Sequence, residues 1–381
     1  MEHIYLDHAA TTPVNKQVID VMYPIYERVF GNPSSVHSFG RKARSLLDEA
    51  RRVMANSIHA NEKEIVFTSG GTEADNLALI GSAFANKEKG KHIITTVQEH
   101  HATLHTAEFL EKSGFNVTYL PVYENGSISI DDLRNALTDE TILVSIMAVN
   151  NETGVVQPIR EAGKLLKDHQ ANFHTDAVQA FGLMQLNVKE LGIDLLTVSS
   201  HKINGPKGIG FLYVAEGVKL NPLQYGGEQE RKRRAGTENI VSAVGFQKAV
   251  ELVEEEREKR TNLYKQYKSH FLNVLENKHI DFKVNGNYDG TIPAIVNISF
   301  KGMNVETLLT NFDLEGIAAS SGSACTAGSV EPSHVLTEMY GADNPRTTNS
   351  IRFSFGAANT TENVEEAANR IAKIIKRLAS Y

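Results

Sequence analysis

Cysteine is nearly absent from this chain, which has a single one among 381 residues. One thiol excludes an intramolecular disulfide and any zinc site built from several thiolates, and it is typical of a reducing compartment. No apolar run approaches the roughly eighteen residues that a membrane span needs. The first residues, Met1 to His8, lack the basic-then-apolar pattern of a signal peptide. We therefore expect a soluble, cytoplasmic protein that makes no membrane contact.

An excess of basic charge is also missing. Lys and Arg total 39 against 46 Asp and Glu, which gives a formal net charge of −7. A net acidic chain is poorly suited to general nucleic-acid binding, so no direct nucleic-acid contact is expected. Hydrophobic residues make up 41% and charged residues 22%, a balance typical of a folded globular protein. The length corresponds to two or three domains of about 150 residues each.

What the sequence does contain is a long alternation of short apolar runs and amphipathic stretches. The runs predicted as strands are Glu64–Thr68, His92–Val97, Val117–Pro121, Thr141–Val149, Asn172–Asp176, Leu195–Ser199 and Gly208–Val214. Apolar residues recur at helical spacing in the stretches Thr72–Ala85, His105–Lys112, Ile130–Leu137 and Ile159–His169. This alternation predicts an α/β fold around a mainly parallel, buried sheet.

The pattern changes after about Asn239. A charged helical stretch at 251–260 is interpreted as a solvated face, and strands follow near Ile295–Phe300 and Ile351–Ser354. A last helix is predicted from about Asn363 to Ala379. We predict a large domain over residues 15–255 and a small domain formed by residues 1–14 and 256–381.

A strand–turn–helix junction at 67–76 is the first candidate site. Gly70 and Gly71 follow a predicted strand, and a helix begins near Thr72 with Glu73 in its first turn. Such a junction presents free backbone N–H groups and the positive end of a helix to a phosphate. It is neither a Walker loop nor a Gly-x-Gly-x-x-Gly motif, and a turn without a ligand is the alternative.

Two further polar groups follow predicted strands. Asp176 ends one of them, where α/β sheets bind ligands, although a helix cap is the alternative. Lys202 lies just beyond Leu195–Ser199 and can form a Schiff base if its amine is kept neutral, with an exposed lysine as the alternative. A phosphate-binding helix start, a strand-end Asp and a strand-end Lys together meet the needs of pyridoxal 5'-phosphate.

These segments resemble those of fold-type I pyridoxal-phosphate enzymes, and Ser199–Lys202 matches the cofactor lysine of the class V aminotransferase group. Within that group the chain resembles the cysteine desulfurases related to NifS and IscS over nearly its whole length. The matching stretches are Tyr5–Pro13, Gly31–Ser35, Thr68–Glu73, Glu99–His100, Val149–Gly154, His174–Gln179, Arg234–Asn239, Ser320–Thr326 and Arg352–Gly356. The resemblance implies a large pyridoxal-phosphate-binding domain with a mainly parallel seven-stranded sheet, and a smaller α+β C-terminal domain.

The resemblance also implies a role for each matching residue at the cofactor ring. Lys202 would carry the cofactor as an internal aldimine, and Asp176 would pair with the pyridinium nitrogen. His100 would stack over the ring and move protons. Gln179 would hydrogen-bond the phenolic oxygen, with Asn151 beside it.

Phosphate and substrate binding are assigned in the same way. The implied phosphate ligands are Gly71, Thr72, Ser199 and His201, joined by Thr237 from a partner subunit. Arg352 would bind the substrate carboxylate through its guanidinium fork, assisted by Asn32. A phosphate site shared between two subunits implies a homodimer.

Cys325 determines which reaction the resemblance implies. Small residues surround it, and a mobile loop, carried by the small domain, suits a nucleophile that enters the active site and leaves again. A free thiol has a pKa near ~8.5, so the site must deprotonate it. Lone cysteines are usually inert core residues, which is the alternative. The expected reaction converts L-cysteine to L-alanine and leaves a persulfide on Cys325 for an acceptor protein.

The sulfur acceptor and the competing functions follow from other features. The chain stops at Tyr381, where longer relatives carry a tail that docks the iron–sulfur scaffold. We therefore expect a dedicated acceptor such as a tRNA thiouridylase, with iron–sulfur assembly as the other possibility. A pyridoxal-phosphate aminotransferase or a selenocysteine lyase with an incidental cysteine is the competing function. A second alternative is a non-enzymatic function, in which the protein binds RNA or relays sulfur and uses the basic run Arg231–Arg234.

Two features qualify these expectations. His100, His101 and His105 lie close together, but the His-Glu-x-x-His pattern is absent and a third ligand is not evident, so no metal is expected. Glu228 and Lys232 stand where relatives commonly have glycine. The sequence alone therefore does not predict the conformation of the loop before Thr237.

Overall fold

The computed structural model describes residues 3–322 and 332–379. The strands within these ranges are β1 (Ile4–Tyr5), β2 (Ile65–Thr68), β3 (His92–Thr96), β4 (Asn116–Leu120), β5 (Thr141–Ser145), β6 (Asn172–Asp176), β7 (Leu195–Ser199), β8 (Gly210–Val214), β9 (Phe282–Val284), β10 (Ile295–Phe300), β11 (Ile317–Ala318) and β12 (Ser350–Ser354). The α-helices are α1 (Lys16–Arg28), α2 (Ser38–Ser57), α3 (Gly71–Asn86), α4 (His101–Lys112), α5 (Ile130–Ala136), α6 (Ile159–Leu166), α7 (Val188–Leu191), α8 (Ile240–Asn277), α9 (Val305–Leu314), α10 (His334–Tyr340) and α11 (Thr361–Ala379).

The central feature is a seven-stranded sheet with the order β2-β8-β7-β6-β5-β3-β4. Strand β8 runs antiparallel to both of its neighbours, and the remaining pairs are parallel. Every residue of β2, β5, β7 and β8 is buried, as expected for strands with helices on both faces of the sheet. The prediction of a mainly parallel seven-stranded sheet is confirmed.

This topology brings the chemistry-bearing segments to one edge of the sheet. Asp176 ends β6 and Ser199 ends the adjacent β7, so both lie at the carboxyl edge. Strand β2 is antiparallel to β8, which is antiparallel to β7, and β2 therefore runs in the same direction as β7. Helix α3 begins at Gly71, just after β2, and its N-terminus lies at that same edge.

The other strands form two small sheets. Strands β9, β10 and β12 make an antiparallel sheet, while β1 pairs in parallel with β11 through Ile4 and Ile317. Helix α8 continues without a break past residue 255, the predicted boundary between the domains. The division into 15–255 and 1–14 with 256–381 stays a prediction. None of the helices within the described ranges is long and apolar enough to cross a bilayer.

One predicted strand is longer than the observed one. Strand β5 ends at Ser145, whereas Thr141–Val149 was predicted from the continuous apolar run. The N–H groups of Ile146 and Ala148 still donate to His174 and Asp176 backbone oxygens. The residues after Ser145 are apolar because they are buried beneath the cleft, and burial alone cannot distinguish that position from a strand.

Candidate active site

An open cleft at the carboxyl edge of the sheet, with about 1130 Å³ of empty space, collects most of the predicted site residues. Its lining includes Gly71, Thr72, His100, Asn151, Asp176, Gln179, Ser199, His201, Lys202 and Arg352. These residues come from the ends of several strands and the starts of the following helices, as in other α/β sheets that bind ligands. Residues predicted to bind the cofactor ring, the phosphate and the substrate carboxylate are thus all represented in one cavity.

Three predicted residues are not placed in this cleft. Asn32 is exposed, and its side chain accepts a hydrogen bond from Ser34 N at 2.8 Å within its own loop. Thr237 is exposed and lines a separate cavity with Ser69 and Arg234. Cys325 lies outside the described residues. A single chain thus supplies neither Asn32 nor Thr237 to its own cleft.

The N-terminus of α3 provides the predicted phosphate position. The first N–H groups of an α-helix have no intrahelical partner and attract anions. A Cβ on Gly71 would lie 3.0 Å from Val178 Cγ2, so a larger residue would crowd this end of the cleft. Glu73 accepts hydrogen bonds from Ser69 N at 2.6 Å and from Arg234 Nε at 2.7 Å. Burial works to raise the Glu73 pKa, but these bonds outweigh it and lower the pKa.

Lys202 sits in the short turn that follows β7. Its Nζ donates to the backbone oxygen of Ala9, and to that of Ala10 at 2.8 Å, so the N-terminal segment forms one wall around the amine. His201 contacts Thr11 Oγ1 through Nδ1 at 3.0 Å. Burial, with Lys202 adding to it, lowers the His201 pKa to about 4, and the imidazole is therefore neutral at pH 7.

Two buried carboxyl groups line the cleft at the end of β6. Asp176 Oδ1 accepts a hydrogen bond from Val178 N at 2.8 Å. Burial raises the Asp176 pKa, and the Val178 bond and Lys202 oppose that rise. Asp75 on α3 is 2% exposed, and burial together with the Asp176 charge raises its pKa. Among the described residues Asp75 Oδ1 has no hydrogen-bond partner. This end of the cleft therefore favours a positively charged ligand group.

His100 caps α4 and faces the same cleft. Its Nδ1 accepts a hydrogen bond from Ala102 N at 3.1 Å, so this nitrogen carries no proton. Burial, reinforced by Lys202 and neighbouring histidines, lowers the His100 pKa to about 4. A neutral imidazole whose Nδ1 is an acceptor has its proton on Nε2. His100 can therefore donate or exchange a proton through Nε2.

Arg352 on β12 reaches the cleft from the antiparallel sheet. Its Nη2 lies 2.9 Å from Asp7 Oδ1, and its Nη1 donates to Asn151 O at 3.0 Å. The side chain is only 4% exposed. These two contacts hold the guanidinium in one orientation, as recognition of a carboxylate requires.

Sequence reasoning missed several residues that shape the cleft. Asp7, Asp75 and Glu152 were not singled out as site residues, nor was His334, whose Nε2 lies 3.0 Å from the backbone oxygen of Glu99. Asp7 lies in a matching stretch at the N-terminus, which was the available signal. Within residues 3–322 and 332–379 no group of three or more His, Cys, Asp or Glu is arranged to hold a metal ion.

Comparison with known proteins gives consistent matches over the whole chain. Residues 4–366 match the family model "Aminotransferase class-V". A putative cysteine desulfurase IscS 1 of Bacillus subtilis is 56% identical over 378 residues, covering 99% of this chain and 100% of the relative. A cysteine desulfurase IscS of Clostridium botulinum is 48% identical over 382 residues, covering 99% and 95%. A solved structure described as a NifS-like protein superimposes with a TM-score of 0.92 at 32% identity, covering 100% of both chains.

Proposed function

The chain belongs to the class-V aminotransferase family and is a cysteine desulfurase, and from this premise we propose how its residues carry out the reaction with pyridoxal phosphate. The observation that carries the proposal is the single cleft shared by Lys202, Asp176 and the N-terminus of α3. These groups match an aldehyde, a pyridine nitrogen and a phosphate, the three parts of that cofactor.

The residues of the cleft fit this cofactor. Asp176 and Asp75 are buried carboxyl groups whose pKa values burial raises, and Lys202 only partly opposes this rise at Asp176. A pyridine nitrogen beside Asp176 would be held in its protonated form. Gly71 and Thr72 at the start of α3, with Ser199 and His201, would hold the phosphate. Gln179 and Asn151 line the same cleft and would lie beside the phenolic oxygen. Bound pyridoxal phosphate stabilises negative charge at the substrate α-carbon.

The protein's own groups bind the substrate and move its protons. Arg352 binds the carboxylate of L-cysteine with its fixed guanidinium fork. Lys202 would hold the cofactor covalently, and its amine would accept the α-proton of the substrate. His100, which lines the same cleft, would exchange a proton with the substrate through Nε2.

Cys325 performs the sulfur transfer. Its thiolate attacks the substrate sulfur, a sulfur–sulfur bond forms, and the carbon–sulfur bond breaks with its electron pair passing to carbon. That carbon takes up a proton, L-alanine leaves, and a persulfide stays on Cys325. Sulfur is first taken from the substrate and then passed to an acceptor. The nucleophile must therefore enter the site and afterwards leave it.

The proposed assembly is a homodimer, and an apolar face on α1 supports it. Ile19, Tyr23 and Tyr26 follow one another at helical spacing on α1 and are 52%, 71% and 69% exposed in the single chain. Phe30, two residues beyond the end of the helix, is 76% exposed. The Phe30 ring lies 5.1 Å from that of Phe39, which is also exposed. A contiguous exposed apolar surface of this kind is typical of a protein interface. In the dimer, Thr237 and Asn32 serve the cleft of the partner subunit.

The persulfide sulfur passes to a protein acceptor in the cytoplasm. The single cysteine fits a reducing compartment such as the cytoplasm. The proposed acceptor is a tRNA thiouridylase, and an iron–sulfur scaffold is the alternative. Pull-down with both classes decides between them: strong binding to the scaffold and none to the thiouridylase contradicts the proposal.

The first test measures alanine and sulfide formed from L-cysteine under a reductant. Wild type is compared with Cys325→Ser and Lys202→Ala, and both variants are expected to lose nearly all activity. Sulfide release by Cys325→Ser at the wild-type rate would assign the chain to another pyridoxal-phosphate reaction. Comparing L-selenocysteine with L-cysteine as substrate separates a selenocysteine lyase from a cysteine desulfurase.

A further inference from the structure

A strained turn precedes Thr237 in the loop 228–239. Glu230, Arg231 and Lys232 have φ angles of 46°, 56° and 68°, three consecutive non-glycine residues in the left-handed region. A residue with a side chain is disfavoured in this region because its Cβ approaches the following carbonyl oxygen. A strained backbone persists only where surrounding contacts fix it, and such strain is concentrated at functional positions. The contacts that hold this turn therefore indicate its purpose.

A buried ion pair anchors the first residue of the turn. The Glu230 carboxylate receives two hydrogen bonds from Arg51 on α2, at 2.6 and 2.7 Å, and the two side chains are 2% and 4% exposed. Glu230 Oε2 also accepts from Phe67 N at 3.0 Å, and Arg51 Nη1 donates to Ile65 O at 2.8 Å. The pair thereby fixes the turn to strand β2. A bidentate contact of this kind restricts orientation as well as distance.

A second anchor fixes the other end of the loop. Arg234 contacts Glu73 in the first turn of α3 at 2.7 Å, and Gln229 Oε1 accepts from Gly236 N at 3.1 Å. The loop is thus attached to β2 on one side and to the proposed phosphate helix on the other. Thr237, which follows directly, is exposed and lines a cavity separate from the cleft of its own chain.

We propose that Arg51 and Glu230 are positioning residues that act across the dimer: they hold the strained turn that presents Thr237 to the cofactor phosphate of the partner subunit. This inference rests on the homodimeric site proposed above. Neither residue contacts the cofactor cleft of its own chain. Their effect therefore belongs to the neighbouring active site, although the ion pair lies wholly within one subunit.

The first experiment measures the dissociation constant of pyridoxal phosphate from the dimer. Glu230→Gln and Thr237→Val are each expected to weaken cofactor binding about tenfold, the equivalent of one lost hydrogen bond to phosphate. Glu228→Gln is the matched control, because Glu228 lies in the same loop with a side chain 79% exposed. It is expected to bind the cofactor as wild type does. If Glu230→Gln does not fold, Arg51→Lys is used in its place. This variant keeps the positive charge, removes only the bidentate contact and is likewise expected to weaken cofactor binding.

The decisive experiment uses mixed dimers purified through two different tags. A Glu230→Gln chain is paired with a Lys202→Ala chain, and cofactor fixed to Lys202 by borohydride reduction is quantified after dilution. The only Lys202 site then belongs to the Glu230→Gln chain but receives Thr237 from the intact loop of the other chain. Cofactor retention at the wild-type level is expected. Retention as weak as in the Glu230→Gln homodimer overturns the inference, because it places the defect within one subunit.

The outcomes also separate this inference from the proposed function. If Thr237→Val retains the cofactor as wild type does, the proposed phosphate role of Thr237 is wrong, and the positioning role fails with it. If Thr237→Val weakens binding but Glu230→Gln and Arg51→Lys do not, the shared phosphate site stands and the positioning role alone is refuted.

Discussion

Glu99 shows how burial sets the charge of a single residue beside the cleft. Its Oε1 accepts hydrogen bonds from Thr96 Oγ1 and Met147 N, each at 2.9 Å. Within the described part of the chain its Oε2 has no partner. Burial raises the pKa of Glu99 to about 8. Glu99 is therefore mostly a neutral acid in the folded protein at pH 7, whereas it is ionised in the unfolded chain.

This difference makes stability depend on pH. Between the unfolded pKa near ~4.3 and the folded pKa, the folded state binds the extra proton, so stability falls as pH rises through that window. Glu99→Gln keeps both accepted hydrogen bonds and removes the titration. Between pH 5 and 8 wild type is expected to lose about 1–3 kcal/mol more unfolding free energy than the variant.

Denaturant unfolding at several pH values measures this difference. Glu140→Gln is the control, because Glu140 is exposed, and its pH profile is expected to run parallel to that of wild type. Parallel profiles for Glu99→Gln and wild type would show that Glu99 is ionised in the folded state.

Among single residues, those that end strands can be predicted from the sequence. Residues buried by contacts with segments far away in the sequence cannot. Asp176 and Lys202 each follow an apolar run, so their place at the sheet edge is encoded locally. Asp75 and Glu99 lie within or before helices, and their burial arises from contacts with β6 and with Met147 that no local pattern records. The proposed phosphate role of Thr237 comes only from the family resemblance and stays a prediction.

Among the structural elements, the N-terminal segment ties the small sheets to the turn that carries Lys202. Strand β1 pairs with β11, and Thr12 Oγ1 then donates to His201 O at 2.7 Å and accepts from Asn204 N at 2.9 Å. Asn204 is buried and has a φ of 64°. A single hydroxyl group thus holds both sides of this turn.

Thr12→Val is expected to loosen the turn. The substitution preserves shape but leaves the buried Asn204 N–H without an acceptor, at a cost of about 2 kcal/mol. Both the unfolding free energy and the cofactor affinity are expected to fall, as measured by denaturant unfolding and by cofactor titration. Thr348→Val is the control, since Thr348 is exposed. Equal effects of the two substitutions would exclude a special role for Thr12.

The elements differ in how far the sequence predicts them. The continuous apolar strands of the large sheet are predicted well because burial on both faces leaves a clear pattern. Strand β1 has two residues and depends on pairing with β11, more than 300 residues later, so no local signal exists. Helix α1 carries an exposed apolar face, which resembles neither a core helix nor a surface helix.

For the whole molecule, the proposed shared site makes cofactor binding depend on assembly. Tyr23→Asp places a charge on the exposed apolar face of α1 and is expected to weaken the dimer about 30-fold, as loss of a central aromatic contact does. Cofactor affinity is expected to fall with it, because Thr237 is then removed from the phosphate. Sedimentation velocity and cofactor titration over a range of protein concentrations measure both effects.

Phe109→Asp is the control for this experiment. Phe109 is 48% exposed on α4 and outside the α1 face, so its replacement is expected to leave the dimer intact. A Tyr23→Asp monomer that binds the cofactor as tightly as the wild-type dimer would contradict the shared site.

The order of the large sheet also constrains how the protein is made. Strand β2 immediately precedes the proposed phosphate helix, yet its hydrogen-bonding partner β8 lies about 140 residues further along the chain. At a translation rate of about 5–20 residues per second, β2 waits about 7–28 seconds on the ribosome before β8 is synthesised. During that time its apolar sequence Ile65–Thr68 presents an open edge to other nascent chains. The position of β8 in the chain therefore sets how long the edge of β2 stays unpaired during synthesis.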